Sequence, residues 1–482
     1  MKKEISASWA LLTFAIMITT MLVTVVMLEQ SPHVPLIVGT IVAAIVAKMH
    51  GFKWMEIEEM MYKGIRLALP AIVIIILVGL TIGAWIGGGV VATMIFYGLK
   101  LISPAWFLVT ILLLCSIVSL AIGSSWSTMA TIGVAGMGIG LSMGIPAPMI
   151  AGAVISGSYF GDKMSPLSDT TNLAAGLTNT DLFDHIKHML YTTIPALIIT
   201  LVAFGFMGRR FADVSMDSEK IMTTLAVMEK SFVISPWLLL VPVGVIVMVA
   251  KKVPAIPALV IGIISGFLLQ IFVQGGSPTM AVHALQEGFA ISTGNEMVDE
   301  LFNRGGLDSM MYTVSMTIVA MTFGGVLEYS GMLKALMDVV VKFAKSTGSL
   351  IASTIAACIT TNATCSEQYI SIVVPSRMFA DVYQKRGLHS KNLSRALEDG
   401  GTLTSVFFPW NTCGVFILAT LGVSAMEYAP YAILNFAVPI ISIIYGYVGF
   451  AIVKMTPEQI EEAKQRKKEA QEQEMNNMVV AD

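Results

Sequence analysis

The 482-residue sequence is short of charged residues. Asp, Glu, Lys and Arg make up 13% of the chain, whereas soluble globular domains carry about 25%. This leaves too few charged side chains to solvate the surface of a soluble protein of this length. The composition therefore excludes an ordinary soluble domain. The formal net charge of −3 gives no reason to expect a nucleic-acid partner.

Cysteine and histidine are also scarce and scattered. The four cysteines (Cys115, Cys358, Cys365 and Cys413) lie in apolar segments without metal-ligand spacing, which indicates small buried hydrophobes rather than disulfides or a zinc site. The six histidines form no motif. Neither a Ser/His/Asp arrangement nor a His-Glu-x-x-His motif is visible, so the sequence argues against an enzyme, and we expect no cofactor.

Hydrophobic runs dominate the sequence instead, and 55% of the residues are hydrophobic. Ser8 to Met27 is nearly unbroken apolar sequence, and a helix that crosses a bilayer needs about 20 such residues. Similar runs recur as far as Val453. They predict an all-α polytopic membrane protein that contacts lipid through about 10–13 embedded helices.

One polar stretch, Gly161–Asn172, interrupts these runs. It holds two carboxylates, Asp162 and Asp169, and one cation, Lys163. Its other polar residues are Ser165, Ser168, Thr170, Thr171 and Asn172. At the depth of a bilayer such oxygen-bearing groups would form a cation site, because hydrocarbon offers them no other partners. An extramembrane turn would explain the polarity of this stretch equally well.

A break rich in glycine and hydroxyl groups precedes that stretch. The apolar run that ends at Ile122 leads into Gly123–Thr128, which includes Ser124 and Ser125. This pattern is typical of a discontinuous or re-entrant helix, whose free backbone groups can replace the water around an ion. The alternative is that the hydroxyls bond back to their own helix.

The second half of the chain repeats this order of features. Gly157 and Pro166 match Gly400 and Pro409 at an offset of 243 (400 − 157). Thr360–Thr364 is the expected second break. We therefore predict two inverted repeats with broken helices. Their boundaries are residues 1–211 and 236–455, with a linker at 212–235 and a charged tail at 456–482.

The second repeat adds further candidate site residues. Glu328 closes an apolar helix and Glu367 follows the expected break. The neutral candidates are Asn362, Thr364, Asn411 and Thr412. The cations Lys163, Arg377 and Arg395 are the plausible contacts for an anion or charge partners for an acid. Each acid could instead lie in an interfacial loop.

The stretch Gly161–Asn172 resembles the signature of the NhaC family of sodium/proton antiporters. The resemblance runs from the first helix to Lys454 and includes Glu367–Ser371, Leu397–Gly400 and Pro409–Cys413. It implies a bacterial inner-membrane carrier that exchanges Na⁺ for H⁺, built from inverted repeats with re-entrant hairpins. By analogy with the wider group it also implies a homodimer. Some members resemble malate/sodium-lactate antiporters, so malate and lactate stay open as alternative substrates.

The chemistry expected of such a carrier is competition at a buried carboxylate, which can hold either a proton or Na⁺. Sodium prefers oxygen ligands. Hydroxyls flank Asp169 on both sides, so it is the first choice for the shared carboxylate. Asp162 is the second, because Lys163 beside it could neutralise it. The expected sodium ligands are Asp169, Asp162, Thr170 and Asn411.

Positive charge near the ends of the chain predicts its orientation. Lys2, Lys3 and the basic residues of the Lys48–Arg66 loop favour a cytoplasmic N-terminus, and the basic tail favours a cytoplasmic C-terminus. Arg209 and Arg210 lie between the halves, where an inverted second repeat would place them outside, against the same rule.

Overall fold

The computed structural model describes residues 4–28, 30–101, 103–166, 168–211, 219–251, 253–295, 298–299 and 302–458. Residues 212–218 of the predicted linker, residues 459–482 of the predicted tail and Leu167 of the polar stretch lie outside the described residues.

The helices of the first half, up to residue 211, are α1 Ala7–Met21, α2 His33–Met49, α3 Trp54–Gly87, α4 Val90–Leu101, α5 Phe107–Ile122, α6 Ser125–Thr128, α7 Val134–Ser142, α8 Ala147–Met164, α9 Asp169–Leu177 and α10 Leu182–Gly208. The later helices are α11 Glu219–Ser231, α12 Leu240–Ala250, α13 Ala255–Phe272, α14 Pro278–Gln286, α15 Leu307–Tyr329, α16 Met332–Val341, α17 Thr347–Cys365, α18 Gln368–Lys385, α19 Ser390–Leu397, α20 Thr412–Leu421, α21 Ala425–Tyr428 and α22 Ile433–Val448.

The predicted all-α class is confirmed. Within the described ranges, β pairing is limited to two isolated bridges, Phe289 with Arg304 and Leu388 with Lys454. A π-helical turn, Glu398–Thr402, follows α19, and a 3₁₀ turn, Ser405–Phe407, comes before α20.

Several helices have the length and composition of membrane spans. Among the described residues, four long apolar segments qualify: Trp54–Gly87, Pro104–Ala121, Leu182–Phe211 and Leu307–Tyr329. Three further helix pairs qualify when taken together but are bent by more than 40° at a short break. The chain is thus a multi-pass membrane protein with broken helices. Shorter apolar helices of 10–17 residues add to these, and the number of embedded helices stays a prediction.

The first break lies where the sequence indicates it. Gly123 follows α5 with a φ of 75°, a left-handed conformation that glycine adopts without steric cost. Ser124 then caps the next helix, and its hydroxyl accepts a hydrogen bond from the amide of Ser127 at 3.2 Å. The hydroxyl of Thr128 bonds back to the Ser124 carbonyl at 2.9 Å. Two hydroxyls of this segment, those of Ser124 and Thr128, therefore bond to the backbone of the segment itself.

The second break lies two residues beyond the predicted one. Thr360–Thr364 continues α17, because its hydroxyls donate to carbonyls one turn earlier; Thr364 Oγ1 donates to the Thr360 carbonyl at 2.8 Å. The helix ends instead at Cys365, and Ser366 follows it with a φ of 59°. The side chain of Glu367 then caps α18. The predicted break was wrong in position because a serine, not a glycine, takes the left-handed conformation.

Helix boundaries in the two halves match at the offset already found in the sequence. Helices α5 and α17 end at Ile122 and Cys365 (365 − 122 = 243). The same offset relates the left-handed pair Gly123/Ser366, the capping pairs Ser124/Glu367 and Ser168/Asn411, and the helix starts Ser125/Gln368, Ala147/Ser390 and Asp169/Thr412.

Helix packing follows the same offset. A Cβ atom built on Gly157 would lie 2.9 Å from the Cβ of Cys115, and one built on Gly400 would lie 3.0 Å from the Cβ of Cys358. At either position a larger residue would force its neighbours to shift. The cysteine pair and the glycine pair are each 243 residues apart.

The two hydrophobic cores each take residues from both halves. One includes Val154 and Phe416, and the other includes Met17 and Met321. Helix α3 joins the halves by packing along α15, where a Cβ atom at Gly64 would lie 2.2 Å from the Met321 carbonyl oxygen. This contact fixes α3 beside the helix breaks.

Candidate cation site

A cavity of about 360 Å³ lies between the two helix breaks. Three carboxylates line it: Asp162 near the end of α8, Asp169 at the start of α9, and Glu367 before α18. Its other lining residues are Ser124, Ser125, Trp126, Gln368, Tyr369 and Ile370, with Leu67, Pro70 and Ile74 of α3. Both breaks thus contribute oxygen-bearing groups to one space.

Asp162, like Glu367, is a buried carboxylate of this cavity. Its side chain is 5% exposed. Ser125, the first residue after the first break, donates its hydroxyl to Asp162 Oδ2 at 2.7 Å. The other oxygen, Oδ1, is buried without a hydrogen-bond partner among the described residues. One oxygen is therefore held by Ser125, and the other has no hydrogen-bond partner among the described residues.

Glu367 and Asp169 face the same cavity from different elements. Glu367 is buried and accepts a hydrogen bond from the amide of Tyr369 at 3.4 Å. Asp169 is exposed, and the Tyr369 hydroxyl donates to its Oδ2. Tyr369 therefore connects α18 of the second half to α9 of the first.

The other candidates of the polar stretch hold the turn between α8 and α9. Thr171 Oγ1 donates to the Lys163 carbonyl at 3.0 Å, and Asn172 Nδ2 donates to the Ser168 carbonyl at 2.6 Å. The Ser168 and Thr170 hydroxyls lie 3.1 Å apart. Ser165, Ser168, Thr170, Thr171 and Asn172 do not line the cavity.

The amide candidates of the second half form a network of their own. Asn411 Nδ2 donates to the carbonyl and the side-chain oxygen of Asn362, both at 3.2 Å, and Asn362 Nδ2 donates to the Gly401 carbonyl at 2.8 Å. The amide of Thr412 donates to the Ser366 carbonyl at 2.9 Å. These bonds tie α20 and the π-helical turn to α17, and the cavity lining does not include Asn362, Thr364, Asn411 or Thr412.

Glu328 and Arg377 lie elsewhere. Glu328 is half-buried near the end of α15, and Arg377 is exposed on α18. The structure does not bring either residue to the cavity lining.

Lys163 pairs with a different acid from the neighbour considered in the sequence. Its Nζ lies 2.6 Å from Asp399 Oδ1, and Arg395 Nε lies 4.0 Å from Asp399 Oδ2. Thr192 donates to Asp399 Oδ1 at 3.2 Å. All three ion-pair side chains have no exposed surface. We call Lys163, Arg395, Glu398 and Asp399 the buried charge cluster. Asp162 and Lys163 are adjacent on a helix, where successive side chains point about 100° apart, so they reach different sites.

Seven lining residues were not predicted as site residues from the sequence: Leu67, Pro70, Ile74, Trp126, Gln368, Tyr369 and Ile370. Gln368 and Tyr369 directly follow Glu367 in the motif Glu367–Ser371, so the signal was present. Trp126 stacks on Phe416, with ring centroids 4.2 Å apart. Among the described residues, no three His, Cys, Asp or Glu side chains group as ligands of one metal ion.

Comparison with known proteins identifies relatives over most of the chain. Residues 157–450 match the Na⁺/H⁺ antiporter family. The chain is 41% identical to the Na⁺/H⁺ antiporter NhaC of Alkalihalophilus pseudofirmus, over 94% of this chain and 98% of that protein. It is 40% identical to NhaC of Bacillus subtilis, over 93% of this chain and 99% of that protein. It is 38% identical to the malate-2H⁺/Na⁺-lactate antiporter of Bacillus subtilis, over 88% of this chain and 91% of that protein.

These matches confirm the resemblance carried by Gly161–Asn172 and indicate a transporter rather than an enzyme. They cover both the polar stretch and the second helix break. The chain belongs to the Na⁺/H⁺ antiporter family, in the NhaC group.

Proposed function

We propose that this protein exchanges Na⁺ for H⁺ across the bacterial inner membrane by competition of the two ions for Asp162. The observation that carries the proposal is the state of the Asp162 carboxylate. One oxygen is held by Ser125, and the other is buried at a cavity without a partner. The relatives named NhaC support Na⁺ and H⁺ as the exchanged ions.

The exchange follows from the cost of an unpaired buried charge. A carboxylate away from water is unfavourable unless a cation or a proton neutralises it. Sodium would be held by Asp162 Oδ1 with oxygens of Ser125 and Glu367, because a hard cation selects oxygen ligands. When Na⁺ leaves, a proton on the same oxygen removes the charge. The two occupied states exclude each other without any covalent step.

The sequence favoured Asp169 over Asp162, and the surroundings of the two residues reverse that order. Asp169 is exposed and already accepts the Tyr369 hydroxyl, whereas Asp162 is buried with one free oxygen. Lys163, which could have neutralised Asp162, is held by Asp399. We therefore assign the shared carboxylate to Asp162, keep Glu367 as a further sodium ligand, and assign the approach of the cation to Asp169.

Malate/sodium-lactate exchange is the second candidate, because one relative bears that name. A dicarboxylate would need a cation facing the cavity. Lys163 and Arg395 are buried in ion pairs with Asp399, and Arg377 does not line the cavity. The geometry therefore favours Na⁺/H⁺ exchange.

The wider architecture is part of the same proposal. The constant offset of 243 supports two repeats with the boundaries given above. Cytoplasmic termini and a homodimer stay predictions.

Sodium-driven proton movement in proteoliposomes tests the function. We expect Asp162→Asn to abolish it and Asp169→Asn to weaken it, because only the first change removes the shared carboxylate. Asp338→Asn, on an exposed face of α16, is the matched control and should behave like the wild-type protein. Wild-type exchange by Asp162→Asn would refute the assignment. Exchange that requires malate and lactate would favour the second candidate.

A further inference from the structure

The buried charge cluster holds a carboxylate that the proposed exchange does not use. Glu398 has no exposed surface, and neither of its oxygens accepts a hydrogen bond from the described residues. Nε and Nη2 of Arg395 likewise lack hydrogen-bond partners there. An ionised buried carboxylate without hydrogen bonds is costly. The structure therefore contains a second acid for which taking up a proton would be favourable.

The position of Glu398 connects it to the cation site. It begins the π-helical turn Glu398–Thr402, an irregularity that is frequent at functional sites. Glu398 is within electrostatic range of Asp162, Lys163 and Asp399. The cluster and the cavity thus meet at α8, where Asp162 and Lys163 are neighbours.

The groups around the cluster come from several helices. The titratable and charged side chains that face Glu398 or its partners are Asp162 and Lys163 of α8, His185 and His188 of α10, Cys358 of α17, Tyr383 of α18, Arg395 of α19, Asp399 beside Glu398, and Tyr445 of α22. Of these, Lys163, Asp162 and Asp399 interact electrostatically with Glu398 itself.

We propose that Glu398 is a second proton-binding carboxylate whose protonation state sets the sodium affinity of Asp162. This inference rests on the proposed function. With both acids ionised, the cluster holds two cations and two anions and is neutral. One proton bound to a Glu398 oxygen leaves the cluster with a charge of +1. This positive charge beside Asp162 repels Na⁺ and so lowers the affinity of Asp162 for it.

Coupling of this kind is reciprocal. If a proton on Glu398 weakens Na⁺ binding, Na⁺ at Asp162 must weaken proton binding to Glu398 by the same factor, and such factors typically span about 5- to 150-fold. Proton uptake at one carboxylate would then help to expel sodium from the other. The two ions need not share an atom for this second contribution to antiport.

The test is the pH dependence of ²²Na⁺/Na⁺ exchange in proteoliposomes at equal pH on both sides. This exchange needs the sodium site but no net proton transfer. Glu398→Gln mimics the protonated state. We expect it to retain the exchange, to raise the half-saturating Na⁺ concentration at alkaline pH by about tenfold, and to flatten the dependence of that concentration on pH. Glu229→Gln, an exposed glutamate paired with Lys100, should leave the wild-type profile unchanged.

The other outcomes are decisive as well. A wild-type pH profile in folded Glu398→Gln overturns the inference, and so does a complete loss of ²²Na⁺/Na⁺ exchange, which would place Glu398 in the sodium site itself. Asp162→Asn reports separately on the proposed function, because it should abolish the exchange at every pH.

A second measurement keeps the inference testable if Glu398→Gln does not fold. Infrared difference spectra record the carboxylic C=O band that changes when Na⁺ is added to the protein. Glu398→Asp should shift one such band, because the proton then resides on a different side chain. A spectrum identical to that of the wild-type protein overturns the inference.

Discussion

The two halves of the molecule share their helix breaks but not their charges. Positions related by the offset of 243 share caps and helix starts, yet the three cavity carboxylates and Asp399 each have a counterpart without a carboxylate. The pairs are Asp162/Ser405, Asp169/Thr412, Ser124/Glu367 and Ser156/Asp399. The common backbone plan brings the breaks together around one cavity. Under the proposed function, the carboxylates present on one side only would select the ion that the cavity binds.

Lys163 shows the same asymmetry for a cation, because its counterpart in the second half is Val406. It pairs with Asp399, 236 residues away. The counterpart of Asp399, Ser156, is uncharged as well. One ion pair, without a symmetric second pair, therefore links the two halves.

The largest effect is expected from Lys163→Met. This change makes the position apolar, as it is at the counterpart Val406 in the second half. Asp399 would lose its closest cation, and an unpaired buried charge should lower the free energy of unfolding by about 3–5 kcal/mol. Denaturation in detergent measures the change. The double variant Lys163→Met/Asp399→Leu should recover most of the loss, and a fully stable single variant would contradict the role of the pair.

Glu367→Ser makes the second half match Ser124 of the first. It removes a buried carboxylate from the cavity. Charged hydrogen-bonding groups contribute about 1.5–3 kcal/mol, so the half-saturating Na⁺ concentration should rise by about 10- to 100-fold. Sodium-dependent proton flux gives this concentration. Ser124→Ala should leave it nearly unchanged, since Ser124 mainly caps α6; equal effects of the two variants would contradict an asymmetric site.

Ser125→Ala tests the hydrogen bond at the first break. The Asp162 oxygen would lose its donor at 2.7 Å, and sodium would lose a hydroxyl ligand. We expect the half-saturating Na⁺ concentration to rise about fivefold. Ser127→Ala, on the same short helix, is the control, and an equal response of both serines would show that the effect comes from the helix alone.

Tyr369→Phe is expected to have the smallest effect. The counterpart of Tyr369 in the first half, Trp126, is aromatic as well, so the two halves differ least at this position. The ring is kept and the hydroxyl that binds Asp169 is removed. The hydroxyl would no longer compete with the cation for this carboxylate, so the half-saturating Na⁺ concentration should fall about two- to threefold. An increase measured in the same flux assay would mean that Tyr369 helps to hold Asp169 in place for sodium.

The sequence was sufficient for the parts of the fold that depend on composition and local pattern. The low charge content and the apolar runs predicted an all-α membrane protein, and the Gly157/Gly400 match already contained the offset of the helix boundaries. The second break was missed because no glycine marks Ser366. In the sequence, threonines whose hydroxyls bond to carbonyls of a continuous helix cannot be told from threonines at a helix break.

The site was harder to predict because its residues are far apart in the chain. Nothing in the local sequence shows that Lys163 reaches Asp399 and so leaves Asp162 without its neighbour. Exposure likewise separates Asp162 from Asp169, although the hydroxyls that flank Asp169 in the sequence favour Asp169. Such choices depend on how helices pack, and they become visible only when distant segments are placed together.

The apolar wall of the cavity has a pharmacological consequence. Leu67, Pro70 and Ile74 of α3 border the same space as the three carboxylates. A small inorganic ion cannot use that wall, but an organic cation with a compact hydrocarbon tail can. Each methylene buried there would contribute about 0.8 kcal/mol to its affinity. Ammonium or guanidinium compounds of increasing tail length should therefore become stronger inhibitors, until the tail fills the roughly 360 Å³ available.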